Sequence, residues 1–186
     1  MTILSAQSID AYVQEGELTI EPYEAFSKTY AGKSYGLTAA GYDIRLGKIR
    51  HPERDHAIVE SLWLRPGGFI LAASFERVVI PDNLQVTVHD KSSWARQGLA
   101  AQTTVLEPGW YGHITLELSN HSDKAILIST GMPIAQLVFH QLDRPTDRPY
   151  MGKYQGQSDM PTEAIEALSS EGEYHELGDS DGDDGA

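Results

Sequence analysis

The feature that most constrains the fold of this chain is a series of short apolar stretches separated by glycine and proline. Several alternate apolar and polar side chains, as Leu84, Val86 and Val88 do with the polar residues between them. Alternation with a period of two is typical of half-buried β-strands. Strands are therefore predicted over residues 18–20, 40–47, 69–73, 75–80, 84–89, 113–118, 125–129 and 133–141. Their length and spacing favour a β-barrel or a β-sandwich.

A single short helix is predicted ahead of these strands. Over residues 5–14, Ile9, Tyr12 and Val13 fall on one face, and Ser5 or Ser8 can cap the first turn. Residues 48–66 are polar and lack a clear period. Residues 144–158 are rich in Pro, Gly, Gln and Tyr, so we expect a surface arm there. The predicted domain covers residues 1–158 and includes this arm.

The lack of cysteine limits the chemistry of the chain. With none in 186 residues, no disulfide or thiolate site can form, and the cysteine-containing signature of zinc deaminases is missing. The seven histidines have no ligand spacing, so no zinc site is expected. No apolar run approaches the ~20 residues that span a bilayer, and no secretory signal is evident. We therefore expect a cytoplasmic protein without a membrane partner.

Negative charge is concentrated at the C-terminal end. The net charge is −13, and residues 154–186 contain ten acids but neither Lys nor Arg. The rest of the chain is close to neutral and lacks the basic surface that nucleic-acid binding requires. Residues 159–186 are predicted to form a disordered acidic tail, because they contain too few apolar side chains to form a core.

Lys91, Ser92, Ser93 and Arg96 form a compact run of groups that can bind phosphate. Two hydroxyls, two cations and the free amides of a helix start can together hold an anion. A helix would also place Arg96 one turn after Ser92, on the same face. The other interpretation is a capped, solvated helix start, and from this run alone it is the favoured one.

Glu117 is the stronger candidate for a catalytic residue, because it interrupts an otherwise apolar strand. If its face is partly buried, the carboxylate would have the raised pKa of a general base. If that face meets solvent, Glu117 is an ordinary surface acid.

Upstream, Glu107 begins a carboxylate-Pro-Gly turn that is typical of a hairpin corner. Trp110 and Tyr111 after it can stack on a ring or sugar, or cover the core.

The predicted arm carries its own set of candidate ligands. Tyr150, Lys153, Tyr154 and Gln157 offer one cation, two aromatic rings and an amide within eight residues. Such an arm can fold over a phosphate chain, and it can equally serve as a linker. The pattern does not separate these two interpretations.

Taken in order, these motifs resemble the dCTP deaminases of the trimeric dUTPase superfamily. The resemblance covers about residues 3–158, and the KSS run and the GMPIAQL strand are shared with dUTPases. The motifs are LSAQSIDAYVQEGELTIEP (4–22), AGYDIRLG (40–47), FILAASFERVVIPDNL (69–84), KSSWARQGL (91–99), EPGWYGHITLELSN (107–120), GMPIAQLVF (131–139) and RPYMGKYQGQ (148–157).

The resemblance implies a mostly β fold: a distorted dUTPase-like barrel with a short N-terminal helix and a C-terminal arm. It also implies a homotrimer with active sites between subunits. The activity would be zinc-independent deamination of dCTP to dUTP and ammonia, in the supply of pyrimidine deoxynucleotides. Glu117 matches the general base of the family. Arg96 and Ser92 match residues that position the base and the attacking water.

The resemblance also assigns substrate contacts. Lys91, Ser92 and Ser93 would meet the triphosphate, with Mg²⁺ bound through its phosphates rather than by the protein. Trp110 lies beside the expected nucleotide pocket. The arm would close over the triphosphate and exclude water, and its ligands would be Tyr150, Lys153 and Gln157.

Two departures from the family pattern bear on substrate and product. Glu107 stands where the family has Asp, which in dUTPases and bifunctional members orients the water for diphosphate release. Residues 98–107 form a hairpin about two residues shorter than usual, in which Gln102 and Thr103 occupy the base-reading position. Alternatives therefore remain: a dUTPase, a bifunctional enzyme releasing dUMP and diphosphate, or a non-catalytic nucleotide-binding regulator.

Overall fold

The computed structural model describes residues 2–55 and 57–165, and its strands build a curled sheet. The helices are α1 (Ala6–Gln14) and α2 (Ser92–Ala95). The strands are β1 (Thr2–Ile3), β2 (Thr19–Glu21), β3 (Lys28–Tyr30), β4 (Lys33–Thr38), β5 (Gly41–Arg50), β6 (Ile58–Val59), β7 (Ser61–Leu64), β8 (Phe69–Val79), β9 (Leu84–Asp90), β10 (Leu99–Ala101), β11 (Val105–Leu106), β12 (Tyr111–Asn120), β13 (Ile126–Ser129) and β14 (Pro133–Gln141).

Twelve strands form one sheet, with the path β10–β12–β8–β5–β14–β9–β11 through its centre. The strand pairs along this path are antiparallel, and β7 pairs separately with β13. The predicted distorted, mostly β barrel is therefore confirmed. The long strands β5, β8, β12 and β14 bury a continuous apolar core, and burial of that area is the main stabilising contribution.

The predicted N-terminal helix is confirmed. The Ser5 side chain accepts a hydrogen bond from the N–H of Ser8, as an N-cap residue does, and α1 ends at Gln14. Ile9 is fully buried, and Tyr12 and Val13 pack against the core. This helix face anchors the start of the chain to the barrel.

Some strand predictions need correction. Residues 69–73 and 75–80 were expected to be two strands, but β8 is continuous through Ser74. The buried hydroxyl of Ser74 donates to the carbonyl of Glu76 and accepts from the N–H of Ile114, which supports the register shift between β8 and β12. The β3–β4 hairpin and the strands β6 and β7 were not predicted, because these stretches are only weakly patterned.

An ion pair lies inside the barrel, between β5 and β8. Glu76 is fully buried, and its carboxylate accepts from the Arg45 backbone N–H at 2.8 Å and from Arg45 Nε at 2.7 Å. The guanidinium also lies 4.6 Å from the centre of the Tyr35 ring and 4.5 Å from that of Phe75. Removal of either partner of such a pair leaves the other charge buried without compensation and lowers the free energy of unfolding.

The chain continues to pack on the barrel after residue 158, where the domain was predicted to end. Residues 159–165 contact strands β5 and β12 through hydrogen bonds and ion pairs. The disordered tail predicted for residues 159–186 otherwise lies outside the described residues, from 166 onward. Among the residues that the structure describes, no helix is long and apolar enough to cross a membrane.

Candidate active site

Glu117 lies near the middle of β12, facing a cavity. Strand alternation sends Leu116 and Leu118 into the core and Glu117 to the opposite face, where its side chain is half-buried. That face lines a space of about 420 Å³, called the Glu117 cavity below. A space of this size accepts a small ligand.

Burial changes the acidity of Glu117. Removal from water raises the pKa of the carboxyl above its ordinary value of 4.5, against a smaller lowering from its own backbone N–H. Within residues 2–55 and 57–165, no other side chain forms a hydrogen bond or ion pair with this carboxylate. A carboxyl with a raised pKa and unpaired oxygens has the properties of a general base.

The turn of Glu107, Pro108 and Gly109 closes one end of the Glu117 cavity. The N–H of Trp110 donates to the carbonyl of Glu107 at 3.0 Å. Gly109 has a φ of +82°, and a Cβ there would lie 2.6 Å from Cβ of Pro149. The turn joins β11 to β12, as expected of a tight turn between strands, but it is not a hairpin corner, because β11 pairs with β9 and β12 pairs with β8 and β10. The Glu107 side chain lines the cavity together with Glu117.

The arm (residues 144–158) packs against this turn. The N–H of Tyr150 donates to the carbonyl of Pro108 at 2.8 Å, and the indole N–H of Trp110 donates to the carbonyl of Tyr154 at 2.8 Å. Trp110 is only 5% exposed, so its ring mainly covers the core and fastens the arm. Tyr150, Tyr154 and Trp110 all line the Glu117 cavity.

Gln157 joins the arm to β12. Its carbonyl accepts from the N–H of His113 at 3.0 Å, and its side-chain oxygen accepts from the Thr115 hydroxyl at 2.7 Å. A Cβ on Gly112 would lie 2.7 Å from the backbone nitrogen of Gln157, so only glycine allows this approach. Gln157 therefore lines the cavity of Glu117, as its predicted role as an arm ligand requires.

Lys153 is the predicted arm ligand that does not line the Glu117 cavity. Its ammonium donates to the carbonyl of Ile165 and lies 5.1 Å from the centre of the Tyr154 ring. The cation thus secures the chain that follows the arm.

The shortened hairpin (residues 98–107) contributes its second half, Thr104 to Glu107, to the cavity wall. The backbone N–H of Gln102 donates to the carbonyl of Glu117 at 2.9 Å, and its side-chain amide donates to the Ser119 hydroxyl at 3.3 Å. Gln102 and Thr103, the predicted base-reading residues, do not line the Glu117 cavity. Thr104 does.

Lys91 is buried beside β5, and its charge is compensated within the chain. Its ammonium forms an ion pair with the buried carboxylate of Asp43 and donates to the Ser34 hydroxyl at 3.1 Å. The ion pair connects the start of α2 to the barrel. Within the run from Lys91 to Arg96, the exposed candidate phosphate ligands are therefore Ser92 and Arg96.

Helix α2 positions the remaining members of the run. The hydroxyl of Ser93 is buried and has no hydrogen-bond partner within the described part of the chain. Arg96 ends the helix and lines a different cavity, of about 660 Å³, together with Lys124. Glu117 is not among the residues around that second cavity, so one chain places Arg96 and Glu117 on separate surfaces.

Among the polar side chains that line the Glu117 cavity, sequence reasoning missed four: Thr104, Thr115, Thr162 and Glu163. Thr115 could have been found, because it precedes Glu117 by two positions on the same strand face. Glu163 could not, because it belongs to a segment predicted to be a tail. No group of three or more His, Asp or Glu side chains in the described residues is arranged to hold a metal ion.

Comparison with known proteins identifies the family. A family model described as dCTP deaminase-like matches residues 3–142. The chain belongs to this dCTP deaminase-like family. A relative named dCTP deaminase, from Thermococcus gammatolerans, is 34% identical over 145 residues, which cover 76% of this chain and 87% of the relative. Another relative, from Aquifex aeolicus, is named dCTP deaminase, dUMP-forming. It is 34% identical over 188 positions, covering 91% of this chain and 99% of the relative.

Solved structures agree with this family at the level of the fold. The 2'-deoxycytidine 5'-triphosphate deaminase from Agrobacterium tumefaciens superposes with a TM-score of 0.59 and 18% identity, covering 75% of this chain and 47% of that one. The EIAV dUTPase superposes with a TM-score of 0.50 and 19% identity, covering 73% of this chain and 98% of that one. The dCTP deaminase-like family thus shares its curled sheet with a dUTPase.

Proposed function

We propose that this protein removes the amino group of dCTP by hydrolysis, giving dUTP and ammonia. The observation that carries the proposal is Glu117, a half-buried carboxylate with a raised pKa that faces a cavity and has no side-chain partner among the described residues. Its position in a dCTP deaminase-like chain gives that carboxylate a specific task. The relative from Thermococcus gammatolerans, which bears the name dCTP deaminase, supports the same substrate.

The chemistry requires one water molecule and one base. Glu117 takes a proton from a water molecule while the oxygen of that water bonds to C4 of cytosine, which forms a tetrahedral centre. The same carboxyl then returns the proton to the amino group, the C4–N bond breaks, and ammonia leaves. Transfer by a positioned carboxyl is worth about 10²–10⁴ in rate. Because burial raises its pKa, Glu117 is a stronger base than an exposed glutamate.

The complete site requires more than one copy of the chain. Arg96 and Glu117 line different cavities, yet the family resemblance implies that both act at the same active site. We therefore propose a homotrimer in which Ser92 and Arg96 of one copy face Glu117 of the next. Arg96 would there stabilise the charge that develops on the ring during attack.

The triphosphate is proposed to lie along α2. The Ser93 hydroxyl, buried without a partner in the described residues, fits a phosphate oxygen, and Ser92 lies beside it in the same turn. Mg²⁺, bound through the phosphates, would neutralise part of their charge. The arm would close the site with Tyr150 and Gln157, and Lys153 would exchange its present contact for a phosphate when nucleotide binds.

A second candidate function is a bifunctional reaction that ends in dUMP and diphosphate. Glu107 supports it, because this carboxylate lines the same cavity as Glu117 and could orient a second water. The relative from Aquifex aeolicus, named dUMP-forming, points in the same direction. The longer side chain of Glu, where the family has Asp, places that water differently, which is why dUTP is the first choice.

A product assay distinguishes these functions. Purified protein is incubated with Mg²⁺ and either dCTP or dUTP, and ammonia, dUTP, dUMP and diphosphate are quantified. We expect ammonia and dUTP from dCTP, and none from the Glu117→Gln variant. Diphosphate from both substrates would instead support the bifunctional enzyme. If calorimetry detects dCTP binding but no product forms, the protein is a nucleotide-binding regulator.

A further inference from the structure

The chain immediately after the arm forms another wall of the Glu117 cavity. Three consecutive residues of this outer segment (residues 159–165), Thr162, Glu163 and Ala164, line the cavity together with Glu117. Neither the family pattern nor the sequence predicted a role for this segment. Its contacts with the barrel indicate what it does.

Arg50, at the end of β5, is the strongest anchor of the outer segment. Its Nη1 donates to the carboxylate of Glu163 at 2.6 Å, and its Nη2 donates to the carbonyl of Pro161 at 2.7 Å. The Arg50 side chain is 19% exposed, and Pro161 is buried. A planar guanidinium that contacts two acceptors in one segment fixes both its position and its direction.

A second contact places the outer segment directly over the catalytic face of β12. The N–H of Thr162 donates to the hydroxyl of Thr115 at 3.0 Å. Thr115 and Glu117 are two positions apart, so their side chains project from the same face of the strand. The same hydroxyl donates to Gln157, so a single threonine connects the outer segment, the arm and the strand of Glu117.

Another ion pair of the outer segment, between Lys48 and Asp159, is much weaker. Lys48 lies 2.7 Å from Asp159, but the two side chains are 44% and 54% exposed. Exposed pairs of this kind contribute little, because water and salt screen them. Arg50 is therefore the main anchor at Pro161 and Glu163, whereas Lys153 and the Tyr154 hydroxyl contact the end of the segment at Ile165.

We propose that residues 159–165 form the outer wall of the substrate cavity and that Arg50 is the positioning residue that holds this wall over Glu117. The proposal rests on the proposed function for its substrate. Arg50 acts through Pro161 and Glu163, without touching the reacting atoms. A fixed wall excludes water and contacts the ligand before and during reaction, so its loss weakens binding more than it slows chemistry.

The test compares Arg50→Gln with Arg65→Gln in the full-length protein. Arg65 is a matched control, because its side chain is 81% exposed and lies outside the Glu117 cavity. For Arg50→Gln we expect KM for dCTP to rise about 10-fold while kcat changes less than about 3-fold. Hydrogen exchange in the peptide 159–165 should accelerate about 10-fold, because its amides lose their fixed position. Arg65→Gln should match the wild type in both measurements.

Two further variants protect the test against misfolding. Glu163 is 55% exposed, so Glu163→Gln should fold normally and still give a smaller change in the same direction. Arg50→Lys keeps the charge but not the two-acceptor geometry, so it should restore only part of the lost affinity.

The outcomes separate the proposal from the proposed function. Unchanged exchange in residues 159–165 of Arg50→Gln would overturn the proposal, and so would an unchanged KM in an active enzyme. If the wild type releases no ammonia, the proposed deamination is wrong. Exchange in the ligand-free Arg50 and Glu163 variants then still decides whether Arg50 holds the outer wall.

Discussion

Two glutamates on adjacent strands of the same sheet show how differently one side chain can be used. Glu76 on β8 is fully buried and accepts two hydrogen bonds from Arg45. Glu117 on β12 is only half-buried, and no side chain of the described residues pairs with it. The paired carboxylate has its oxygens occupied and no access to a ligand. Burial raises the pKa of both carboxyls, but the unpaired one faces a cavity, so pairing and access decide the role of a buried carboxylate.

The largest effect is expected from Arg96→Ala. Glu76 has the cation Arg45 within its own chain, and this variant tests whether a second copy of the chain supplies a cation to the site of Glu117. If Arg96 stabilises the ring charge in the proposed trimer, turnover of dCTP should fall by about 10³-fold or more. Ammonia release gives the rate, and sedimentation checks that the trimer remains. Dissociation of the trimer would mean that Arg96 is mainly structural.

Glu76→Gln should mainly affect stability. The substitution leaves the Arg45 guanidinium buried beside a neutral amide, which typically costs about 3–5 kcal/mol of unfolding free energy. Urea unfolding followed by tryptophan fluorescence measures this loss. Deamination by the fraction that remains folded at low temperature should be close to normal. A stable but inactive variant would contradict the assignment of Glu76 to the core.

Glu117→Gln should have the opposite effect on stability. Because burial raises the pKa of Glu117, its charged form is disfavoured in the folded state, and the wild type loses stability as pH rises above 4.5. The variant has no such loss, so its Tm at pH 7 should be about 1–2 °C higher, a small gain because the side chain is partly exposed. The difference should vanish below pH 4.5, where both side chains are neutral. A lower Tm for the variant at pH 7 would mean that the carboxylate is paired.

The smallest effect is expected from removing residues 169–186. This acidic stretch contains too few apolar side chains to contribute to a core, so kcat and KM should stay within about 2-fold of the wild type. Removal of residues 159–186 also deletes the outer segment and should raise KM for dCTP. Steady-state kinetics of the two truncated proteins, side by side, locates the boundary between wall and tail.

Much of the fold could be predicted, because local patterns determine it. Ser5 caps α1 as expected, and alternating residues such as Leu84, Val86 and Val88 are buried in β9. The β3–β4 hairpin escaped prediction because Ala31, at its turn, has a φ of +48°, a conformation in which Ala is uncommon. A turn of this kind has no clear signal in the sequence.

Less of the candidate site could be predicted, because distant contacts define it. The sequence indicated Lys91 as a phosphate ligand but could not reveal its ion pair with Asp43, which lies 48 positions away. It also gave no sign that Arg50 contacts Glu163, across 113 positions. Glu117 was identified from local alternation, yet its burial depends on how the arm and the outer segment fold back.

The way the arm docks has a consequence for how this protein can evolve. Three of its attachments to the barrel join backbone to backbone: Tyr150 to Pro108, Gly156 to Tyr111, and His113 to Gln157. Such contacts do not depend on which side chains the arm carries. Mutations can therefore exchange the ligand-facing residues of the arm, and with them the preferred nucleotide, while the arm keeps its path across the enzyme.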